Sequence, residues 1–146
     1  MFDPRTESIR FGRMSKQYLN PDSLFPSLNS GFSQIVCASG SKTVYISGQV
    51  AWNANKQIVG TDLAQQTRQA LRNVQTAVEA AGGTLTDIVA LRIYLVNYKS
   101  RPDDEVGDAL REFFPKERRP ASTWIGVTSL AVPDFLVEIE ATAVLE

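Results

Sequence analysis

Between Leu63 and Ala81 apolar residues recur at positions 63, 70, 71, 74, 77, 78 and 81, the spacing of one face of an α-helix. Asp62 stands in the N-cap position with Gln65 three residues later, the two halves of a capping box, and Gly82-Gly83 supplies a left-handed stop. A different period follows. Val89, Leu91, Ile93 and Leu95 alternate with Ala90, Arg92, Tyr94 and Val96, which predicts a central strand with one fully apolar face and Arg92 projecting from the other. A striped helix followed by a one-sided strand points to a fold in which helix and sheet share a core.

The remaining elements fit that scheme. Gln34 to Ala38 and Thr43 to Ser47 read as short strands, and Ser39-Gly40-Ser41-Lys42 between them has the composition of a tight hairpin connection. Ile58-Val59 reads as a short edge strand or part of a loop. A second helix is expected from about Pro102 to Phe114, with Pro102 at the first helical position, Asp103, Asp104 and Glu105 at the positive end of its dipole, and Val106, Ala109, Leu110 and Phe113 as its buried stripe. Two strands close the chain, about Thr123 to Val127 and Leu136 to Leu145. In the last, Val137, Ile139, Ala141 and Ala143 alternate with Glu138, Glu140 and Thr142. The order ββ(β)αβαββ predicts an α+β two-layer fold, a mixed sheet with both helices on one face. Tyr45, Tyr94, Val96, Val144 and Trp124 or Ile125 make the other face too apolar for simple solvation, so self-association across it, with pockets between subunits, is expected. Residues 1–30 mix charge with Pro4, Pro21 and Pro26 without a sustained period and read as an irregular arm, which leaves 31–146 as the packed domain.

Composition restricts the chemistry. The chain of 146 residues has no histidine, and Cys37 is its only cysteine. That excludes a Ser-His-Asp triad, a Cys-His pair, a histidine metal site and an intrachain disulfide. With 15 Lys+Arg against 16 Asp+Glu and a net charge of -1, the basic excess typical of nucleic-acid binders is missing, so no nucleic-acid partner is expected. No apolar run approaches the roughly 18 residues of a membrane span, and a soluble cytoplasmic protein without a membrane partner is the simplest expectation.

The candidates for chemistry are carboxylates, arginines, hydroxyls and backbone amides. Glu138 and Glu140 share one face of the last strand. Such a pair is commonly just solvated, but a carboxylate in a partly closed pocket can hold a proton or orient a water. Arg92, embedded in a strand, matches a carboxylate bidentately, either that of a ligand or that of a glutamate across a subunit interface. Ser47-Gly48-Gln49 ends a strand with a residue that permits close backbone approach and an amide that donates and accepts. Cys37, in an apolar strand, reads as a buried inert thiol. Ser122 and Thr123 have no base to activate their hydroxyls.

From Gly31 onward these segments resemble the RidA proteins, the reactive intermediate/imine deaminases of the YjgF-like superfamily. The matching pieces are GFSQIV (31–36), VYISGQV (44–50), the helix 65–83, DIVALRIYLVN (87–97), EFFP (112–115), RPAS (119–122) and VEIEATAV (137–144). Together they span roughly four-fifths of the chain in the right order. The resemblance implies a chorismate-mutase-like α+β fold, a homotrimer, and small-molecule pockets at the subunit interfaces. It also implies hydrolysis of 2-imino or enamino acids without metal or cofactor. In that scheme Glu138 matches the glutamate that orients the attacking water, and Phe32, Ser47, Gly48, Gln49 and Ser122 fall at pocket positions.

The sequence departs from the family pattern at an important place. Ser122 stands where the family has the arginine that pairs with the substrate carboxylate. Losing such a charged contact costs on the order of a hundredfold in affinity. Phe32 replaces a pocket tyrosine, Gly107 replaces an asparagine, and one extra residue lies between Leu130 and Glu138. Arg92, Arg118 and Arg119 are the candidates for a substitute cation. The sequence therefore predicts either a hydrolase of the imine or enamine deaminase type with a changed substrate anchor, or a non-catalytic trimer that binds a metabolite, such as a small carboxylate, or regulates a partner.

Overall fold

The computed structural model describes residues 16–99 and 104–146. Six strands, β1 (Lys16–Leu19), β2 (Ile35–Ala38), β3 (Lys42–Gln49), β4 (Ile88–Val96), β5 (Ala121–Val127) and β6 (Val137–Leu145), accompany two helices, α1 (Leu63–Ala80) and α2 (Glu105–Phe113). The main sheet has the order β3-β6-β4-β5, with β6 antiparallel to both neighbours and β4 parallel to β5. Both helices cover one face. Ala70, Leu71, Val74 and Val78 of α1 and Val106, Ala109 and Leu110 of α2 join Ile46, Leu91, Ile93, Leu95, Val137, Ile139 and Ala141 in one buried cluster, the α+β two-layer arrangement the periodicities require.

The ends of α1 follow its sequence signals with one shift. Asp62 Oδ1 accepts from the Gln65 N–H at 2.8 Å, but Gln65 Oε1 accepts from the Thr61 N–H at 2.9 Å rather than closing the box on Asp62 itself. Gly82 adopts φ 90° and the Gly83 N–H reaches Val78 O at 2.9 Å, which satisfies carbonyls at the helix end. Helix α2 begins later than expected. Asp104 is its N-cap, accepting from the Gly107 N–H at 3.0 Å, while Pro102 and Asp103 lie outside the described residues. A Cβ at position 107 would collide with the Asp104 carboxylate, so the glycine there makes room for the cap.

Strand β4 carries a bulge that the alternation did not reveal. Its register with β6 shifts between Ile88 and Ala90, so Ile88 takes the buried position and Val89 is only partly buried. At the other end, Trp124 packs on the core and Ile125 turns to the uncovered face.

Two expectations about the first third of the chain are corrected. Strands β2 and β3 do not form a hairpin: β2 pairs with β1, and β3 pairs with β6 from Lys42↔Leu145 inward. The longer β6 offers β3 a better partner, and the link between β2 and β3 crosses from one sheet to the other, with the Ser41 N–H on Leu145 O at 2.9 Å. The arm is also less irregular than it reads, since it contains β1 and a 3-10 turn at Ser27–Ser30. Side chains of the main domain hold it: Arg119 donates to Leu28 O at 2.7 Å, Arg111 to Asn29 O at 2.6 Å, and Lys16 pairs with Asp87 at 2.9 Å. Ile58 forms only an isolated bridge with Trp52 and belongs to a loop. Among the described residues no helix is long and apolar enough to cross a membrane.

The Lys16–Asp87 contact ties the β1–β2 ribbon to the start of β4. Burial alone would raise the Asp87 pKa, but hydrogen bonds from Lys16 and Thr84 and the Lys16 charge outweigh it and hold the carboxyl below its ordinary 3.8. A carboxyl lowered on folding stabilises the native state above its unfolded pKa and loses that contribution as the pH falls through the folded value. Asp87→Asn should therefore cost about 1–2 kcal/mol at pH 7, and the difference from wild type should shrink as the pH drops below 3.8. Denaturant titrations across pH check this; equal stabilities at pH 7 would contradict it.

Candidate functional site

The uncovered face of the sheet gathers the charged residues. Along β6, Val137, Ile139 and Ala141 point into the core, so Glu138 and Glu140 face the other way. In register, Glu138 lies opposite Tyr94 and Glu140 opposite Arg92 on β4. The Tyr94 hydroxyl donates to Glu140 Oε1 at 2.7 Å, and Arg92 Nη1 approaches the same oxygen at 3.5 Å. The hydrogen bond to Glu140 is the main cause of a raised Tyr94 pKa, with burial and the Glu140 charge adding to it. The Arg92–Glu140 pair forms within one chain and is loose, its side chains 66% and 37% exposed, so it contributes little to stability.

Glu138 differs from its neighbour. It has no hydrogen bond or ion pair among the described residues, and its carboxylate lies against Gly48, where a Cβ would collide with Oε1. The register of β3 against β6 slips between Ile46 and Gln49 at this point. A side chain at position 48 would therefore displace the Glu138 carboxylate.

Two cavities flank these residues. The first, about 620 Å³, is lined by Gly48, Gln49, Trp52, Asn73, Phe135 and Glu138, among others. Its walls are braced by side chains the sequence reading did not single out. Asn73 Nδ2 on α1 donates to both Val50 O and Trp52 O at 2.8 Å. Gln66, 2% exposed, donates to Asp134 O and accepts from the Leu136 N–H. Trp52 packs edge-on against Phe135 at 4.8 Å. The available signal was a pair of amides beside the apolar stripe of an otherwise regular helix, which a hydropathy period does not distinguish from solvated residues.

The second cavity, about 600 Å³, is lined by Phe32, Tyr45, Arg92, Ser122, Thr123 and Glu140, among others. Ser122 sits next to Leu91 in the parallel register, and its Oγ accepts from the Trp124 indole N–H at 3.0 Å. Trp124 in turn lies between Phe32 and Tyr98, with ring centroids 6.4 and 6.3 Å away. The candidate residues thus separate into Gly48, Gln49 and Glu138 around the first cavity and Phe32, Arg92 and Ser122 around the second. Ser47 is exposed and offers its carbonyl to the Gln49 side chain at 3.0 Å.

The other candidates are placed elsewhere. Arg119 is buried, which lowers its pKa, and it serves as a staple between Leu28 and Phe114. Arg118 lines a separate cavity with Tyr18 and Asp87. Cys37 is exposed, contrary to the expected burial, because β2 lies in the two-stranded ribbon rather than over the core. Among the described residues there is no cluster of ligands that could hold a metal ion.

The model of the family described as endoribonuclease L-PSP matches residues 25–145. A 2-iminobutanoate/2-iminopropanoate deaminase of Dermatophagoides farinae is 32% identical over 91% of this chain and 100% of its own length. The 3-aminoacrylate deaminase RutC of Acinetobacter baylyi is 30% identical over 89% of this chain and 98% of its own. Among solved structures, the Rid-family protein YyfB of Yersinia pestis, itself of unknown function, superposes with a TM-score of 0.86 at 41% identity, covering 90% of this chain and 100% of that one. The matched segment takes in the main sheet, both helices and both cavities, and the chain belongs to the endoribonuclease L-PSP family, that of the YjgF/RidA proteins.

Proposed function

We propose that the protein is a cofactor-free hydrolase of a small imine or its enamine tautomer, with Glu138 orienting the attacking water. The observation that carries this reading is the contrast between the two glutamates: Glu140 is engaged by Tyr94 and Arg92, whereas Glu138 has no partner among the described residues and faces a cavity. Glu138 takes a proton from water as the oxygen attacks the imine carbon. Return of that proton to nitrogen gives the carbinolamine, and the hydroxyl proton then passes to nitrogen as the C–N bond breaks, leaving the carbonyl and ammonia. The chemistry needs a carboxylate, a positioned water and an electrophilic carbon. The deaminase names of the relatives from D. farinae and A. baylyi support the same reaction class.

The proposal includes the homotrimer that the family resemblance implies. Glu138 and the Phe32–Ser122 pair line different cavities of one chain, and a neighbour whose second cavity faced the first would bring them together. The exposure of Tyr45, at 83%, and of Ile125 on the uncovered sheet face is in keeping with such packing. Ser122, neutral and bonded to Trp124, leaves the usual anchor position without a cation, and turnover of 2-aminoacrylate or 2-iminopropanoate should be poor. The same feature favours the second reading, a non-catalytic trimer that binds a metabolite or regulates a partner.

A coupled ammonia assay over a panel of imines and enamines tests the proposal. Wild type should release ammonia above the uncatalysed rate from at least one, and Glu138→Gln should lower that rate by about a hundredfold or more. Gly48→Ala, which displaces the Glu138 carboxylate, should lower it as well. An unchanged rate in Glu138→Gln would overturn the assignment, and no release from any substrate despite binding would favour the second reading.

A further inference from the structure

What the first cavity offers a ligand depends on which of its polar side chains are already in use. Thr76 Oγ1 donates to Arg72 O at 3.1 Å, Asn53 Nδ2 to Gln57 Oε1 at 3.0 Å and Gln49 Nε2 to Ser47 O at 3.0 Å. Asn73 gives its amide to Val50 O and Trp52 O, and its Oδ1 accepts from Gln69 Nε2 at 3.0 Å. Glu138 is the one charged residue lining this cavity, and no cationic residue lines it.

The rest of the wall is apolar. Trp52 and Phe135 meet at 4.8 Å with their planes 76° apart, an aromatic corner that Val132, Ala77 and Ala80 extend. Lys56 stands over the Trp52 ring, 5.7 Å from its centroid, but does not line the cavity. A volume of about 620 Å³ suits a ligand with a ring or a branched apolar body, and a three-carbon acid would leave most of it to water. A ligand carboxylate here would meet the like charge of Glu138 with no guanidinium or ammonium on the wall to offset it. Arg92, in the second cavity, already has Glu140 as its counter-charge. An imine nitrogen behaves in the opposite way, since protonation makes it positive and a neighbouring carboxylate favours that form.

We propose that the first cavity takes imines that carry no carboxylate and bear a bulky apolar group, aromatic for preference. Glu138 stands beside the C=N carbon, and the apolar group packs into the corner made by Trp52 and Phe135. The proposal rests on the hydrolase reading above and names the substrate class of that same site. It also accounts for Ser122, because a substrate without a carboxylate needs no cation at that position.

The test is calorimetric titration of the full chain with phenylacetone and phenylpyruvate, ketones that differ only by a methyl group in place of a carboxylate. Wild type should bind phenylacetone more tightly by at least about tenfold. Glu138→Gln removes the repulsion, so affinity for phenylpyruvate should rise by about tenfold while that for phenylacetone changes little. Trp52→Ala should weaken phenylacetone by about tenfold or more. Ala80→Phe, which fills the cavity from an exposed position on α1, should do the same and decides the matter if Trp52→Ala fails to fold. Equal or tighter binding of phenylpyruvate by wild type, no binding of phenylacetone, a preference that survives in Glu138→Gln, or unchanged phenylacetone affinity in Ala80→Phe would each overturn the proposal. The ammonia assay separates the two readings. Preference for phenylacetone without ammonia release from any imine would contradict the hydrolase alone, and Glu138-dependent release that is faster from an imino acid than from the imine of phenylacetone would contradict the substrate class alone.

Discussion

The alternation of β6 is the constraint on which both the core and the site depend. β6 lies between β3 and β4, and its inner residues Val137, Ile139, Ala141, Ala143 and Leu145 are all buried. The same period sets Glu138 and Glu140 on the uncovered face. A slip of one residue would turn both carboxylates into the apolar layer beneath α1 and expose five core side chains. Burying two unpaired acids is costly enough to make that register unavailable. Hydrophobic packing therefore determines where the acids stand, and β4, locked to β6 over its length, brings Arg92 and Tyr94 into line with them.

Within that frame the two glutamates acquire different characters from small local features. Tyr94 and Arg92 engage Glu140. Glu138 is met instead by the backbone of Gly48, where β3 slips out of register. Asn73 and Gln66 then use the side chains of α1 to brace the loops around that carboxylate. A helix read only for its apolar stripe is thus also a support for the first cavity.

The parts legible from sequence were those that repeat. The stripe of α1, the alternations of β4 and β6 and the resemblance carried by SGQ and VEIEA led to the α+β fold, and the family assignment agrees with that reading. The parts not legible depend on which strand meets which. KQYL is too short and polar to announce β1, so the sequence suggests pairing β2 with its neighbour in sequence rather than with the arm, where it lies, and suggests a buried Cys37, which is exposed. The bulge at Ile88 inverted one step of the alternation. The division of the candidate residues between two cavities, and the sorting of three arginines into a staple, a bystander and a cavity-lining cation, depend on side-chain directions that no periodicity carries.

The central claim is that Glu138, which has no partner among the described residues and lines the first cavity, orients the water that attacks a small imine. The most direct measurement is a crystal structure of the full chain soaked with the ketone formed from its best substrate in the ammonia assay. The account predicts the ligand's keto carbon turned toward Glu138 of the same or a neighbouring chain. Ligand bound with its keto carbon out of reach of any Glu138 would contradict it.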